Sequence, residues 1–192
     1  MIRRLYDWTI AWAAHPYALW VLAAVSFMES SFFPIPPDVL LIPMVLARPS
    51  RAWLIAGVCT AASVAGAALG YAIGFFAYEA VGAPILAALG KEAGFADFQA
   101  LYAEWGIWVV LAAGVTPFPF KVVTIMSGLV AFPLLPFLLS AVVARGLRFF
   151  LVAALLWRFG DPVREFIERR LGLVFTLGLV AFFGGFMALG LL

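Results

Sequence analysis

Charge is scarce in this chain. Only 11% of its residues are charged, against 66% hydrophobic, and the mean hydropathy is +1.11. A soluble domain carries about 25% charged residues, so the composition excludes one and describes an integral membrane protein. Cysteine and histidine are nearly missing too: Cys59 and His15 stand alone. A single cysteine closes no internal disulfide, and one cysteine with one histidine offers no metal-ligand spacing. HExxH and GxSxG are absent, which removes two common hydrolase signatures. Ten-residue stretches of alternating polarity are also absent, so a transmembrane β-barrel is not expected. The net charge of +2 comes from scattered basic residues that form no patch for a nucleic acid. No cofactor, no metal and no enzymatic activity are expected.

What the chain does have is a series of apolar runs. Residues 1–14 place Arg3, Arg4 and Asp7 on one helical face and Leu5, Trp8 and Trp12 on another. That pattern suits a helix lying at the membrane interface. Residues 52–76 are long and apolar enough to span, and Gly66, Gly70 and Gly74 fall four apart on one face, where small residues let a second helix approach. Residues 78–104 are the most polar internal stretch, carrying Glu79, Glu92, Asp97 and Glu104, and read as a loop with an interfacial helix. Residues 134–158 span again, stopped by Gly160-Asp-Pro162, and residues 171–192 form a last uncharged span.

Two further runs, 17–47 and 106–131, are broken. The first contains Glu29-Ser-Ser-Phe-Phe-Pro-Ile-Pro-Pro-Asp38. Proline lacks a backbone donor and clashes with the turn before it, so Pro34, Pro36 and Pro37 break any helix there. The arms on either side, 17–32 and 39–47, are too short to cross a core of about 30 Å at ~1.5 Å per residue. A re-entrant hairpin fits them better than a proline-kinked span. The second run holds Thr116-Pro-Phe-Pro-Phe-Lys121, with arms 106–115 and 122–130. A shift of 83 positions lays Pro34 on Pro117, Pro36 on Pro119 and Asp38 on Lys121.

Charge placement orients the chain. If each hairpin returns to its side of entry, Arg3, Arg4, Arg48, Arg51, Arg158, Arg164, Arg169 and Arg170 share one side and only Lys91 lies on the other. By the positive-inside rule the amino terminus is then cytoplasmic and the carboxyl terminus periplasmic. The hairpins enter from opposite sides, which makes an inverted repeat, an architecture of transporters. The expected fold is an all-α membrane domain over residues 1–192: two re-entrant hairpins, each followed by a transmembrane helix, with a C-terminal span and interfacial helices.

Five ionisable residues stay at membrane depth: Glu29, Asp38, Lys121, Arg145 and Arg148. Charges there are costly and usually functional. The acids are the natural partners of the arginines, and all five are expected in one polar cavity. The bases outnumber the acids by one, so an anionic group such as a phosphate completes the cluster.

Glu29-x4-Pro-x-Pro-x-Asp38, Pro117-Phe-Pro-Phe-Lys121 and Ala-Arg145-Gly-x-Arg148-Phe-Phe, in this order, resemble the DedA membrane proteins. These share the VTT (SNARE-associated) domain, and the likeness is to their YqaA-like branch. The resemblance covers roughly residues 15–160. It implies a bacterial inner-membrane protein that moves phospholipids or a polyprenyl-phosphate carrier lipid between leaflets, as a flippase or scramblase, driven by protons. It also maps the family's acidic pair onto Glu29 and Asp38. Many members carry two arginines flanking a proline in the second hairpin; here Thr116 takes the first position and Lys121 is the base that remains. The expected partners are anionic-headgroup lipids and protons, and the chain admits a homo-oligomer. A proton- or ion-coupled transporter of a small solute and a non-transporting membrane scaffold are the competing readings.

Overall fold

The computed structural model describes residues 17–33, 35–90, 92–116 and 118–169, without the side chains of 161 and 163–169. The expected interfacial helix 1–14, His15, Pro34, Lys91, Pro117 and the span 171–192 lie outside the described residues. Those described are helical throughout, with no strand among them.

Helix α1, Ala18–Ser31, ends where Phe32 and Phe33 approach Pro34, whose ring disfavours helical geometry in the residue before it. Helix α2, Asp38–Ala47, opens directly after Pro37, and Asp38 in its first turn complements the positive end of the helix dipole. Pro43 lies inside α2 and leaves the Val39 carbonyl without its helical donor. A 3-10 turn, Pro49–Arg51, leads into α3, Ala52–Ala77, which continues through a π turn, Tyr78–Gly82, into α4, Ala83–Leu89. Helix α5 is Glu92–Val115, α6 is Phe120–Leu129 and α7 is Leu134–Arg169.

Among the described residues, three runs are long and apolar enough to cross a membrane: Pro49–Leu89, Glu92–Val115 and Leu134–Gly160. The chain is a membrane protein. Helices α1, α2 and α6 have 14, 10 and 10 residues, about 21, 15 and 15 Å at the helical rise, and fall short of a ~30 Å core.

Two boundaries differ from the sequence reading. The second broken run does not begin at residue 106, and 78–104 is not a loop with one helix. Helix α5 starts at Glu92 and runs unbroken through Gly106. No proline interrupts it, and Gly106 is held against the rings of Tyr102 and Phe132, so the glycine packs rather than breaks. Nor does Gly160-Asp-Pro162 end the last described helix. Phe159 leaves helical geometry (φ −122°, ψ 23°) and the helix resumes to Arg169. Pro162 stands in the first turn after that kink, where its missing N–H costs little.

The side-chain register fixes the sense of each helix. Ser26 meets Cys59, Ser30 meets Ser63 and Ser31 donates to the Gly66 carbonyl, so α1 runs parallel to α3. Trp53 stacks on Phe150, Ser63 meets Arg145 and Tyr71 meets Phe137, so α7 runs antiparallel to α3. Gly106 meets Phe132, Gly114 meets Ala144 and Thr116 meets Arg148, so α5 runs parallel to α7. Tyr102 bonds Ser127 and Gln99 donates to Val130, so α6 turns back along α5.

The glycine face of α3 seats both short helices. A methyl group at Gly66 would overlap the Phe27 carbonyl of α1, one at Gly70 Ser30 and Thr124, and one at Gly74 the Ile125 carbonyl of α6. Gly128 of α6 returns the contact against the Tyr71 carbonyl. The end of α1 and the start of α6 therefore meet at Gly70, where Thr124 Oγ1 donates to the Ser30 carbonyl at 2.9 Å.

Candidate functional site

Four of the five candidate ionisable residues come together where α1, α2, α3 and α7 converge. Arg145 Nη2 reaches Glu29 Oε2 at 2.6 Å, and its Nε donates to Ser63 Oγ at 2.7 Å. With its lone pair engaged by Arg145, the Ser63 hydroxyl gives its proton to Ser30 Oγ, 2.7 Å away. Ser30 in turn donates to Glu29 Oε2 at 3.2 Å. The four groups close a ring of hydrogen bonds around one ion pair. The rings of Phe120 and Phe149, with centroids 4.9 and 4.6 Å from the Arg145 guanidinium carbon, flank it and supply cation–π attraction. Arg145 is 2% exposed and Glu29 11%.

The second pair is wetter. Arg148 Nη2 meets Asp38 Oδ2 at 2.7 Å, with the side chains 17% and 20% exposed. Arg148 Nη1 donates to the Thr116 carbonyl and, at 3.4 Å, to that of Val115. These are the last carbonyls of α5, which have no helical donor of their own and form the negative end of its dipole. Arg148 thereby ties the start of α2 to the end of α5. Its Nε is buried and has no acceptor among the described residues.

Spacing explains why the two arginines serve different partners. Arg145 and Arg148 lie three apart on α7, on one face but a turn apart along it. The acids lie nine apart, one at the end of α1 and the other at the start of α2, so the proline break carries the second acid to the second arginine. Pro36 and Pro37 thus act as a spacer between carboxylates, and Pro37 is buried at the α2 N-cap.

Lys121 does not join the cluster as expected. It is half-buried in the first turn of α6, and among the described residues its ammonium forms no ion pair. Its neighbour Phe120 is the residue that faces Arg145. Sequence reasoning missed Ser30, Ser63 and Thr124. A signal for the first two was present: Ser26 and Ser30, and Cys59 and Ser63, are small polar pairs four apart in apolar helices, and they meet rung on rung.

No family model and no solved structure matches the chain. Bacterial relatives do. An "Uncharacterized protein" of Haemophilus influenzae is 40% identical over 183 residues, 93% of this chain and 95% of the relative. An "Uncharacterized protein HI0703 homolog" of Histophilus somni is 42% identical over 168 residues, 85% of this chain and 87% of the relative. Identity at that level over nearly whole lengths means a shared fold, and the chain belongs to the family of these two bacterial proteins.

Proposed function

We propose that the chain is a DedA-like lipid transporter of the bacterial inner membrane, moving an anionic phospholipid or a polyprenyl-phosphate carrier lipid between leaflets. The observation that carries this reading is Arg148. It sits among apolar helices, is tied to Asp38 and to the last carbonyls of α5, and keeps a buried Nε–H with no acceptor among the described residues. A phosphate oxygen is the acceptor such a donor suits.

In this reading α1–α3 and the chain from the second half of α5 through α7 are two halves of an inverted repeat. The antiparallel sense of α3 and α7 supports it, as do short helices that turn back beside their predecessors. A lipid phosphate and Asp38 compete for Arg148. Protonating Asp38 removes the competitor and offers a route to proton coupling. The amino terminus is cytoplasmic and the carboxyl terminus periplasmic. The saturated ring around Arg145 favours a second reading, a non-transporting scaffold in which the ion pairs only clip helices together.

Reconstitution in vesicles with fluorescent phosphatidylglycerol, reduced from outside by dithionite, separates the two. Transport predicts leaflet exchange above protein-free vesicles, slowed in Asp38→Asn and Lys121→Gln, with Asp38→Asn binding anionic lipid at least as tightly as wild type. Exchange at the wild-type rate in Asp38→Asn overturns the mechanism. Wild-type protein that exchanges neither phosphatidylglycerol nor polyprenyl phosphate leaves the scaffold.

A further inference from the structure

The Asp38–Arg148 pair sits where the bundle opens. Arg148 lies between Leu134 and Trp157 on α7, about 21 Å from the first and about 14 Å from the second along the helix. Trp157 and Trp53 are exposed with ring centroids 6.1 Å apart, and exposed indoles mark a headgroup level. An opening about 14 Å from that level lies inside a hydrocarbon core of ~30 Å.

The rim of that opening is aliphatic. Leu147 and Leu151 stand within a turn of Arg148 on α7, Val39 follows Asp38 on α2, and Val115 ends α5 with its carbonyl 3.4 Å from Arg148 Nη1. All four side chains are exposed. Thr116, the polar neighbour on this rim, spends its hydroxyl on the Ala112 carbonyl at 2.8 Å. Arg145, a turn away, shows the opposite: Phe120 and Phe149 flank its guanidinium, and it is 2% exposed. A wet approach at this depth is lined by polar groups that hold its water. An aliphatic rim is met by acyl chains instead.

We infer that Val39, Val115, Leu147 and Leu151 frame a lateral portal through which an amphiphilic phosphate ester reaches Arg148 from within the bilayer. The phosphate is drawn to the guanidinium, whose Nε–H has no acceptor among the described residues, and the hydrocarbon chain stays against the four aliphatic side chains. A water-soluble phosphate ester fits worse, since it gives up its hydration at an apolar rim and has no chain to place there. The portal serves the lipid transport proposed above and rests on that reading, but access through it is measurable without leaflet exchange.

The test uses the full chain in phosphatidylcholine vesicles, with bimane attached at Val39→Cys or Leu151→Cys; Cys59 is buried and stays unlabelled. A doxyl group halfway down an acyl chain should quench both labels, and aqueous iodide neither. Doxyl phosphatidylglycerol should quench with about fivefold higher apparent affinity than doxyl phosphatidylcholine. Asp38→Asn/Arg148→Gln, which removes the pair without stranding a charge, should abolish that preference. Val39→Trp and Leu151→Trp narrow the rim at exposed positions that tolerate a larger side chain. Each should slow phosphatidylglycerol exchange about fivefold or more, against less than about twofold for Leu139→Trp, exposed nearer the start of α7. Iodide quenching without doxyl quenching means an aqueous approach and overturns the portal. So does equal quenching by the two doxyl lipids, or a preference that survives the double substitution. Loss of the preference on adding glycerol phosphate assigns the site to a free anion and refutes lateral entry. Exchange at the wild-type rate in both Val39→Trp and Leu151→Trp refutes it as well. Phosphatidylglycerol preference at the rim in a protein that exchanges no lipid keeps the portal and removes the transport reading.

Discussion

Replacing Glu29 by Gln preserves the shape of the Arg145 ring while removing its charge. The guanidinium then remains 2% exposed with no anion beside it, held by Ser63 and by the Phe120 and Phe149 rings. Breaking a buried pair from one side costs about 3–5 kcal/mol. Arg145→Met removes the stranded charge and puts a flexible thioether between two aromatic rings, which suits it. Glu29→Gln/Arg145→Met should therefore cost less than either single change alone, with a coupling of about 2–3 kcal/mol. The Asp38–Arg148 pair supplies the scale. Its side chains are 17% and 20% exposed, so Asp38→Asn should cost about 1 kcal/mol or less. Unfolding of the four variants in detergent, followed by tryptophan fluorescence, measures the cycle. Additive single effects, or a Glu29→Gln cost no larger than that of Asp38→Asn, would refute the assignment of Arg145 as the buried clasp and Arg148 as the accessible base.

Glycine substitutions on α3 should differ in sign. Gly74→Ala drives a methyl into the Ile125 carbonyl and should destabilise by about 2 kcal/mol or more. Gly57→Ala meets nothing within 4 Å and should stabilise by up to ~1 kcal/mol through helix propensity, both read by thermal unfolding. Ala131 holds φ 53° after α6, with its N–H on the Gly128 carbonyl and that of Phe132 on the Ser127 carbonyl, a cap that prefers glycine. Ala131→Gly should accordingly raise stability by about 1 kcal/mol in the same assay. For topology, a cysteine at Ser50 should be labelled by an impermeant thiol reagent only from the cytoplasmic side, and one at Asp97 only from outside. Buried Cys59 gives no background. Labelling of Ser50→Cys in intact cells would reverse the orientation.

The breaks were legible in the sequence because their cause is local. Pro36, Pro37 and Pro119 stand together at the breaks, before the first turn of the helix that follows, and α1, α2 and α6 end or begin within one or two residues of the expected positions. The acid–arginine partnership was legible because a buried charge requires an opposite one. What was not legible depended on packing. The polar residues of 92–104 suggested an interface, yet nothing in them prevents a helix, and α5 extends through them with Gln99 and Tyr102 bonded to the end of α6. The kink at Phe159 could not be told from a stop, since Pro162 is compatible with either. Ser30 and Ser63 were missed because a serine in an apolar helix becomes informative only when the register of its neighbour is known.

That register also explains why Lys121 stands apart. The shift of 83 that lays Asp38 on Lys121 lays Ala52–Ala77 over residues 135–160, the straight part of α7, and sets Arg145 on Ala62 and Arg148 on Ala65. It sets Glu29 on Ala112. Under that shift Asp38–Ala47 falls on residues 121–130 and Ala52 on residue 135, close to the starts of α6 and α7, while Ala18–Ser31 falls inside the longer α5 and the charges do not correspond. Each ion pair takes its acid from the short helices of the first half and its base from the long helix of the second. The corresponding location in the other half has alanine at both arginine positions and at one acid position, with Lys121 as its sole charge. Burying a charge in an apolar bundle costs several kcal/mol unless it is paired. If the two halves are the repeat proposed above, one charged site is kept and its counterpart emptied. Lys121, half-buried and outside both ion pairs among the described residues, is the charge left over. Lys121→Met should therefore leave unfolding stability within about 0.5 kcal/mol of wild type, as for a position with no buried partner. A loss comparable to that of Glu29→Gln would place Lys121 inside the ion-pair network and contradict its separation.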